Sequence, residues 1–272
     1  MVVSFDRVNH DKLMHAIEQR ISDPRLTSLI RRFLQAGVLV DGVVQLSTMG
    51  TPQGGPLSPL LSNLLLDQLD RELERRGHCF VRYADDCNIY VASRRAGARV
   101  LASITRFLEG ELRLKVNASK SAVDRPWNRS FLGFSFTRRR PRRGISPKAI
   151  HAFKARVREL TQRNRGANLG VVIGELRPFL QGWRAYFGFA ETRTILHTLD
   201  CWVRRRLRCY QWKQWGRGRY RALLRLGFSR EDARVAYSSK GPWRMSGHSA
   251  AHRAMPDAFF AAHGLPSVCA VP

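Results

Sequence analysis

The chain has 272 residues, 44% of them hydrophobic, enough to bury a sizeable core in one large domain or two modest ones, which excludes a disordered tail. Lys and Arg total 47 against 21 Asp and Glu, and the resulting charge of +26 points to a polyanionic partner. The excess is uneven: residues 1–124 carry 17 basic and 14 acidic side chains, leaving 30 and 7 for residues 125–272, and all six Trp residues fall in that second half. Arginine and flat aromatics suit phosphate contact and base stacking, so nucleic-acid affinity is expected there. Cys79, Cys87, Cys201, Cys209 and Cys269 form no CxxC pair and have no His at zinc-ligand spacing, so reduced thiols and no structural metal are expected. Residues 1–7 meet charge too soon for a signal peptide, and no apolar run approaches membrane-spanning length. A cytoplasmic protein with no membrane partner is expected.

In chain order, residues 10–37 read as two helices broken near Ser22-Asp23-Pro24, with Leu13, Met14 and Ile17 on one apolar face and Leu26, Leu29, Ile30, Phe33 and Leu34 on the next. Residues 38–48 are β-rich around Asp41-Gly42, a hairpin signal. Thr51-Pro52-Gln53-Gly54-Gly55-Pro56 is too rich in Gly and Pro for regular structure, and a long helix is expected over residues 57–76. Tyr83-Ala84-Asp85-Asp86 then lies between two β-prone flanks, residues 79–82 and 88–91, which predicts a hairpin with both carboxylates at its tip. Another helix over 94–111 and short strands near 114–116 and 131–137 complete an α+β layer with an antiparallel sheet at its centre. The run Arg138-Arg139-Arg140-Pro141-Arg142-Arg143-Gly144 reads as a linker or a phosphate-gripping loop. Beyond it, residues 148–165, 171–187 and 192–215 have helical periodicity and no strand signal, and from residue 216 onward the pattern decays.

Adjacent carboxylates at a hairpin tip can hold a divalent cation through oxygen ligands, a geometry suited to two-metal phosphoryl transfer. Gly54-Gly55 would let a nucleotide or template base approach bare backbone, with Gln53 supplying a side-chain amide. A Gln-Gly loop about thirty residues ahead of an acidic hairpin is the order seen in reverse transcriptases. With Phe5-Asp6-Arg7-Val8-Asn9-His10 before it, and Phe131-Leu132-Gly133-Phe134 and Gln181-Gly182-Trp183-Arg184-Ala185-Tyr186-Phe187 after it, the chain resembles the group II intron-encoded reverse transcriptases, or maturases, over about residues 4–216.

The resemblance implies an α+β fold: a partial polymerase palm, an antiparallel sheet with helices, over residues 1–137; a basic linker over 138–146; an all-α thumb, the maturase-specific domain X, over 147–216; and a basic carboxyl-terminal tail over 217–272. It makes Asp85 and Asp86 the acidic pair that holds Mg²⁺. Phe5 matches the aromatic that senses the sugar 2′ position, and Gln53 and Gly54 line the nucleotide and template pocket. Lys120 matches the lysine near the triphosphate, for charge stabilisation or proton donation to the leaving pyrophosphate. Phe131, Leu132 and Gly133 fall in the primer grip, although core packing is an equal reading for Phe5 and for the Phe131–Phe134 run. Trp183, Tyr186 and Phe187 are expected to pack the helical core. Arg139, Arg140 and Arg142, with Arg177, Arg184, Arg193 and the Arg204-Arg205-Arg206 run, are expected to face RNA. The implied partners are group II intron RNA, an RNA template with its DNA primer, and dNTPs.

In this family the first catalytic carboxylate lies six residues before the Asp of the Phe-Asp pair, here Asp6, so that position falls at residue 0. The chain is therefore expected to begin inside the catalytic motif with the fingers region missing, and to be impaired as a polymerase by itself. A degenerate fragment of a mobile element, a start codon placed too late, and action with a separately encoded amino-terminal piece or as a homodimer remain open. The alternative function is a non-catalytic maturase whose basic half stabilises folded intron RNA. A DNA-cleaving module is not expected, since the carboxyl-terminal residues hold no paired cysteines and no His-rich cluster.

Overall fold

A computed structural model of the chain describes residues 3–4, 8–36, 38–40, 43–45, 50 and 57–269. The chain forms two compact units, Met1–Arg125 and Pro126–Pro272. Together they are an α+β protein, rich in helix, whose sheets are small and antiparallel.

In the first unit, Asn9 caps α1 (His10–Glu18) by accepting from the Lys12 amide at 3.0 Å, and Asp23 with Pro24 starts α2 (Pro24–Gln35). The break between the two helices thus falls where a capping carboxylate and an N-terminal proline dictate it. β2 (Val38–Val40) and β3 (Val43–Gln45) pair antiparallel. α3 (Ser58–Arg75) buries Leu61, Leu65, Leu66, Leu69 and Leu73 along one face, against Leu13, Met14 and Ile17 of α1 and Leu34 of α2. β4 (Cys79–Tyr83) and β5 (Asp86–Tyr90) follow, then α4 (Arg94–Gly110), which adds Ile104 and Leu108 to the same core. Arg76, just past α3, pairs with Glu72 at 2.5 Å and donates to Ser103 Oγ of α4 at 2.7 Å, holding the two helices side by side. β6 (Lys115–Val116) pairs with β1 (Val3–Ser4). Among the described residues these strands make separate two-stranded ribbons rather than one central sheet, because each ladder is short and ends at a turn or a helix.

The second unit opens with a three-stranded antiparallel sheet of β7 (Ser130–Phe131), β8 (Phe134–Phe136) and β9 (Arg143–Ile145). Ser146 caps α5 (Pro147–Leu160), Asn168 caps α6 (Leu169–Phe187), and α7 (Arg193–Trp215) completes the three long helices expected here. Their core joins Phe153 and Val157, then Ile173, Leu176, Leu180 and Trp183, then Leu196, Leu199, Val203 and Leu207. In this part of the chain the structure differs from the sequence reading in two places. Residues 138–142, with β9, form a hairpin against β8 rather than a linker, and the division between units falls ahead of them at Arg125 and Pro126. Residues 217–269 are folded rather than a tail: α8 (Arg219–Arg225), α9 (Arg230–Ala233), α10 (Pro242–Met245), α11 (Ser249–Ala254) and α12 (Asp257–Ala262) bury Leu223, Met245, Met255 and Phe260 in the same core. Helices this short carry too few turns to register as periodicity.

The last described segment is tied down by Asp200 of α7, which is buried and accepts from the amides of Val268 at 2.8 Å and Cys269 at 3.3 Å and from the Ser267 hydroxyl. No disulfide joins the five cysteines. No helix among the described residues is long and apolar enough to cross a membrane. Because Asp200→Ala leaves those donors unpaired in the interior, it should destabilise the second unit by roughly 2–4 kcal/mol in urea unfolding. An unchanged midpoint would show that helix packing alone holds the segment.

Candidate functional site

β4 and β5 form a hairpin in full register, Cys79 opposite Tyr90 through Tyr83 opposite Asp86, closed by the two-residue turn Ala84-Asp85. Ala84 sits at φ +51°, the left-handed region that a tight hairpin turn requires at its first position. Alternation then sorts the side chains. Val81, Tyr83, Asp86, Asn88 and Tyr90 share the outer face, while Phe80, Arg82, Cys87 and Ile89 point toward α3. Asp85 and Asp86 are both half-buried, and no hydrogen bond or ion pair engages either carboxylate among the described residues.

Arg82 holds the turn from behind. Its Nε and Nη2 donate to the two oxygens of Asp70 on α3 at 2.7 and 2.5 Å, and its Nη1 donates at 2.9 Å both to Asn63 Oδ1 and to the carbonyl of Ala84. The bond to Asp70 raises the Arg82 pKa further, so the fork stays charged at any working pH. Burial pushes the Cys87 thiol up to about 11, and its side chain lies on the inward face, opposite to that of Asp86. The tip therefore offers two hard carboxylates on a braced turn, a donor set that fits a divalent cation with water and phosphate oxygens completing its shell. No group of three or more His, Cys, Asp or Glu residues comes together among the described residues.

A second braced turn lies in the other unit. Leu132 (φ +51°) and Gly133 (φ +77°) both adopt the left-handed conformation that closes the β7–β8 hairpin. The Tyr186 hydroxyl on α6 donates to the Leu132 carbonyl at 3.0 Å, and the Ser146 amide donates to the Gly133 carbonyl at 2.8 Å. A Cβ on Gly133 would come to 3.0 Å from the Phe187 ring, so the left-handed backbone and this close approach both favour glycine here. Phe134 packs on Tyr186, Phe187 and Phe189 with ring centroids 4.9–5.8 Å apart. The arginine-rich loop beyond is closed by Thr137, whose amide donates to the Arg142 carbonyl at 3.1 Å and whose hydroxyl accepts from the Arg142 amide at 3.1 Å. Arg138, Arg139, Arg140 and Arg142 are left exposed around it.

Residues 3–136 match the family described as reverse transcriptase (RNA-dependent DNA polymerase), and residues 150–227 match the group II intron, maturase-specific domain. The chain belongs to the group II intron-encoded reverse transcriptases and maturases. It is 30% identical to protein YkfC of Escherichia coli (strain K12) over 175 residues, 52% of this chain and 46% of that protein. It is 43% identical over 67 residues to the group II intron-encoded protein LtrA of Lactococcus lactis subsp. cremoris, 25% of this chain and 11% of that protein. An uncharacterized 91 kDa protein in the cob intron of Schizosaccharomyces pombe is 43% identical over 70 residues, 26% of this chain and 9% of that one. Each match spans less than half of the relative's own length.

Of the residues that the family resemblance singles out, Asp85 and Asp86 stand together at the hairpin tip. Lys120 is exposed in the turn after β6, where its amide donates to the carbonyl and side-chain oxygens of Asn117 at 3.2 and 3.1 Å. Phe5, Gln53 and Gly54 lie outside the described residues. Phe131, Leu132 and Gly133 fold with the second unit, as do Arg139, Arg140, Arg142, Arg177 and Arg184. Arg177 is exposed but tied, its Nε donating to the Gly264 carbonyl at 3.0 Å.

Other readings are revised. Trp183 and Phe187 are core residues as expected, but Tyr186 is 48% exposed and braces a turn. Arg206 is not an RNA-facing cation: it donates to Thr161 Oγ1 at 2.8 Å and is half-buried, and burial lowers its pKa. Arg204 pairs with Asp200 and Asp257. Arg82, which sequence reasoning passed over, carried one signal, its placement on the inward face of the acidic hairpin, where an unpaired charge could not stay. Arg82→Met should destabilise the first unit by roughly 2 kcal/mol, by stranding Asp70, whereas the Arg82→Met/Asp70→Leu double variant should recover most of the loss in denaturant titrations. Additive losses would refute the coupling.

Proposed function

We propose that the chain carries the RNA-directed DNA polymerase and maturase functions of a group II intron protein: the first unit serves as polymerase palm, and the helical part of the second as thumb and intron-binding domain. The observation that carries this reading is the braced hairpin with two unengaged carboxylates inside the reverse-transcriptase match. In it, Asp85 and Asp86 would hold Mg²⁺. The bound cation would neutralise charge on the incoming triphosphate and favour the primer 3′-hydroxylate as nucleophile. Arg82 fixes the turn so that both carboxylates stay in position as substrate arrives. Lys120 faces the triphosphate and stabilises its charge, Gln53 and Gly54 line the nucleotide and template pocket, and Phe5 senses the sugar. The Phe131, Leu132 and Gly133 turn contacts the primer. Arg139, Arg140, Arg142, Arg177 and Arg184 take up backbone phosphates of the template and the intron.

The charge distribution favours a second reading, a maturase that binds intron RNA without copying it, since the basic excess lies almost wholly in residues 125–272. Primer extension on an RNA template with a DNA primer, dNTPs and Mg²⁺ separates the two. Under the first reading the wild-type chain gives cDNA above the no-enzyme level, however impaired, and Asp85→Ala falls to that level, while filter retention of RNA is unchanged. RNA retention without synthesis by the wild-type chain would leave the second. Under both readings affinity falls steeply with salt, with a logarithmic slope of roughly −3, and Arg139→Ala with Arg140→Ala flattens it by about 1. Salt-insensitive binding would refute both.

A further inference from the structure

Between the end of α7 and the short helices that follow it, the second unit contains an open cleft of about 520 Å³, a size at which small-molecule sites are found. Gln211 and Trp215 of α7, Arg221 and Arg225 of α8, Leu226 just past α8, and Phe259 of α12 line it. Its aromatic walls are backed by core: Trp215 lies against the buried Trp212 with ring centroids 5.8 Å apart, and Phe259 meets the buried Phe260 edge-on at 5.3 Å. Arg221 and Arg225 stand one helical turn apart, where like charges repel, and neither has a carboxylate partner among the described residues. The Gln211 Oε1 atom is buried and accepts no hydrogen bond among the described residues, which costs free energy until a donor arrives. The cleft therefore presents flat apolar faces and two uncompensated cations, over an acceptor that is buried and unused.

We infer that this cleft binds one unpaired nucleotide of an RNA strand. The base stacks on Trp215 or Phe259, its exocyclic amino group draws the half-buried Gln211 amide outward and donates to Oε1, and the adjoining phosphate lies on Arg221 and Arg225. Adenine, cytosine and guanine carry such an amino group, whereas the one ring donor of uracil, N3–H, lies between two carbonyl oxygens that repel the Gln211 oxygen, so the cleft discriminates against uridine. The inference rests on the RNA-binding part of the proposed function and adds a place and a base preference to it. Phe259 lies beyond the maturase-specific match, so the site is completed by a segment that the family pattern does not cover.

Ultraviolet crosslinking of the full chain to oligoadenylate RNA, with adducts mapped by mass spectrometry, tests it. Adducts are expected on the peptides bearing Trp215 or Phe259, with oligouridylate giving several-fold fewer. The R221E/R225E variant should lose about tenfold in yield at those peptides. R230E/R234E, the same charge change at exposed positions outside the cleft, should retain it. Gln211→Leu keeps the charge and should abolish the preference for adenylate over uridylate. Deoxyoligoadenylate as competitor separates an RNA source from a DNA source of the same nucleotide chemistry, and competition equal to that of RNA would overturn the RNA assignment. Adducts that map elsewhere, or equal losses in the two charge variants, would overturn the cleft itself. Salt-steep RNA retention by the same preparation with no adduct at the cleft would sink this inference alone. Loss of both would sink the proposed function with it.

Discussion

The guanidinium of Arg82 is the interaction on which the acidic hairpin depends. A two-stranded ribbon has little stability of its own, and a turn that places two carboxylates side by side adds repulsion to it. Here one side chain answers both problems. Its fork satisfies Asp70 on α3, which anchors the ribbon to a helix whose leucine face is fully buried, and its remaining donor reaches the carbonyl of Ala84, the residue bearing the left-handed strain of the turn. The positive charge also lies behind the two carboxylates without touching either. Both therefore stay available at the surface while the backbone that carries them is fixed.

In the second unit the governing constraint is arithmetic. Seven acidic side chains face twenty-nine basic ones across residues 126–272, so most cations there can have no acidic partner. The fold spends its few acids on internal ties: Glu175 with Arg165, Glu191 with Arg143, Asp232 with Arg253, and Asp257 with both Arg204 and Arg208. Arg208 is buried, with its Nε on the Met255 carbonyl at 2.9 Å, which shows what a cation needs before this core will take it. Most arginines outside these ties, among them Arg139, Arg140, Arg221 and Arg225, are exposed to solvent. A surface of that kind repels itself and is relieved by a polyanion, which is why the charge excess is an argument about partners and not about the fold.

What the sequence disclosed and what it hid follow the same division. Contacts between near neighbours were legible: the Asp23-Pro24 helix start, the leucine face of α3 and the β-prone flanks of the acidic turn all depend on residues a few positions apart. Contacts across long separations were not. Arg82 finds Asp70 on another element, Tyr186 finds the Leu132 carbonyl, and Asp200 finds residues 267–269, and in each case one partner is a backbone group or an ordinary surface residue type. Arg206 and Tyr186 were misassigned for a related reason: an arginine read as surface and an aromatic read as core were each placed by residue type, whereas the nearest polar partner decided both.

The boundary between the two units carries the last step. The reverse-transcriptase match runs to residue 136, yet β7 and β8 fold with the helices that follow, because the Phe134 ring and the bare Cα of Gly133 both pack on Phe187 of α6. A family pattern records which residues recur together, while a compact unit records which surfaces bury one another, and here the two divide the chain differently. The Leu132-Gly133 turn thus belongs to the polymerase by pattern and to the maturase-specific helices by packing. Its geometry is set by Tyr186 and Phe187, so a change on α6 acts on that turn through one hydrogen bond and one ring face.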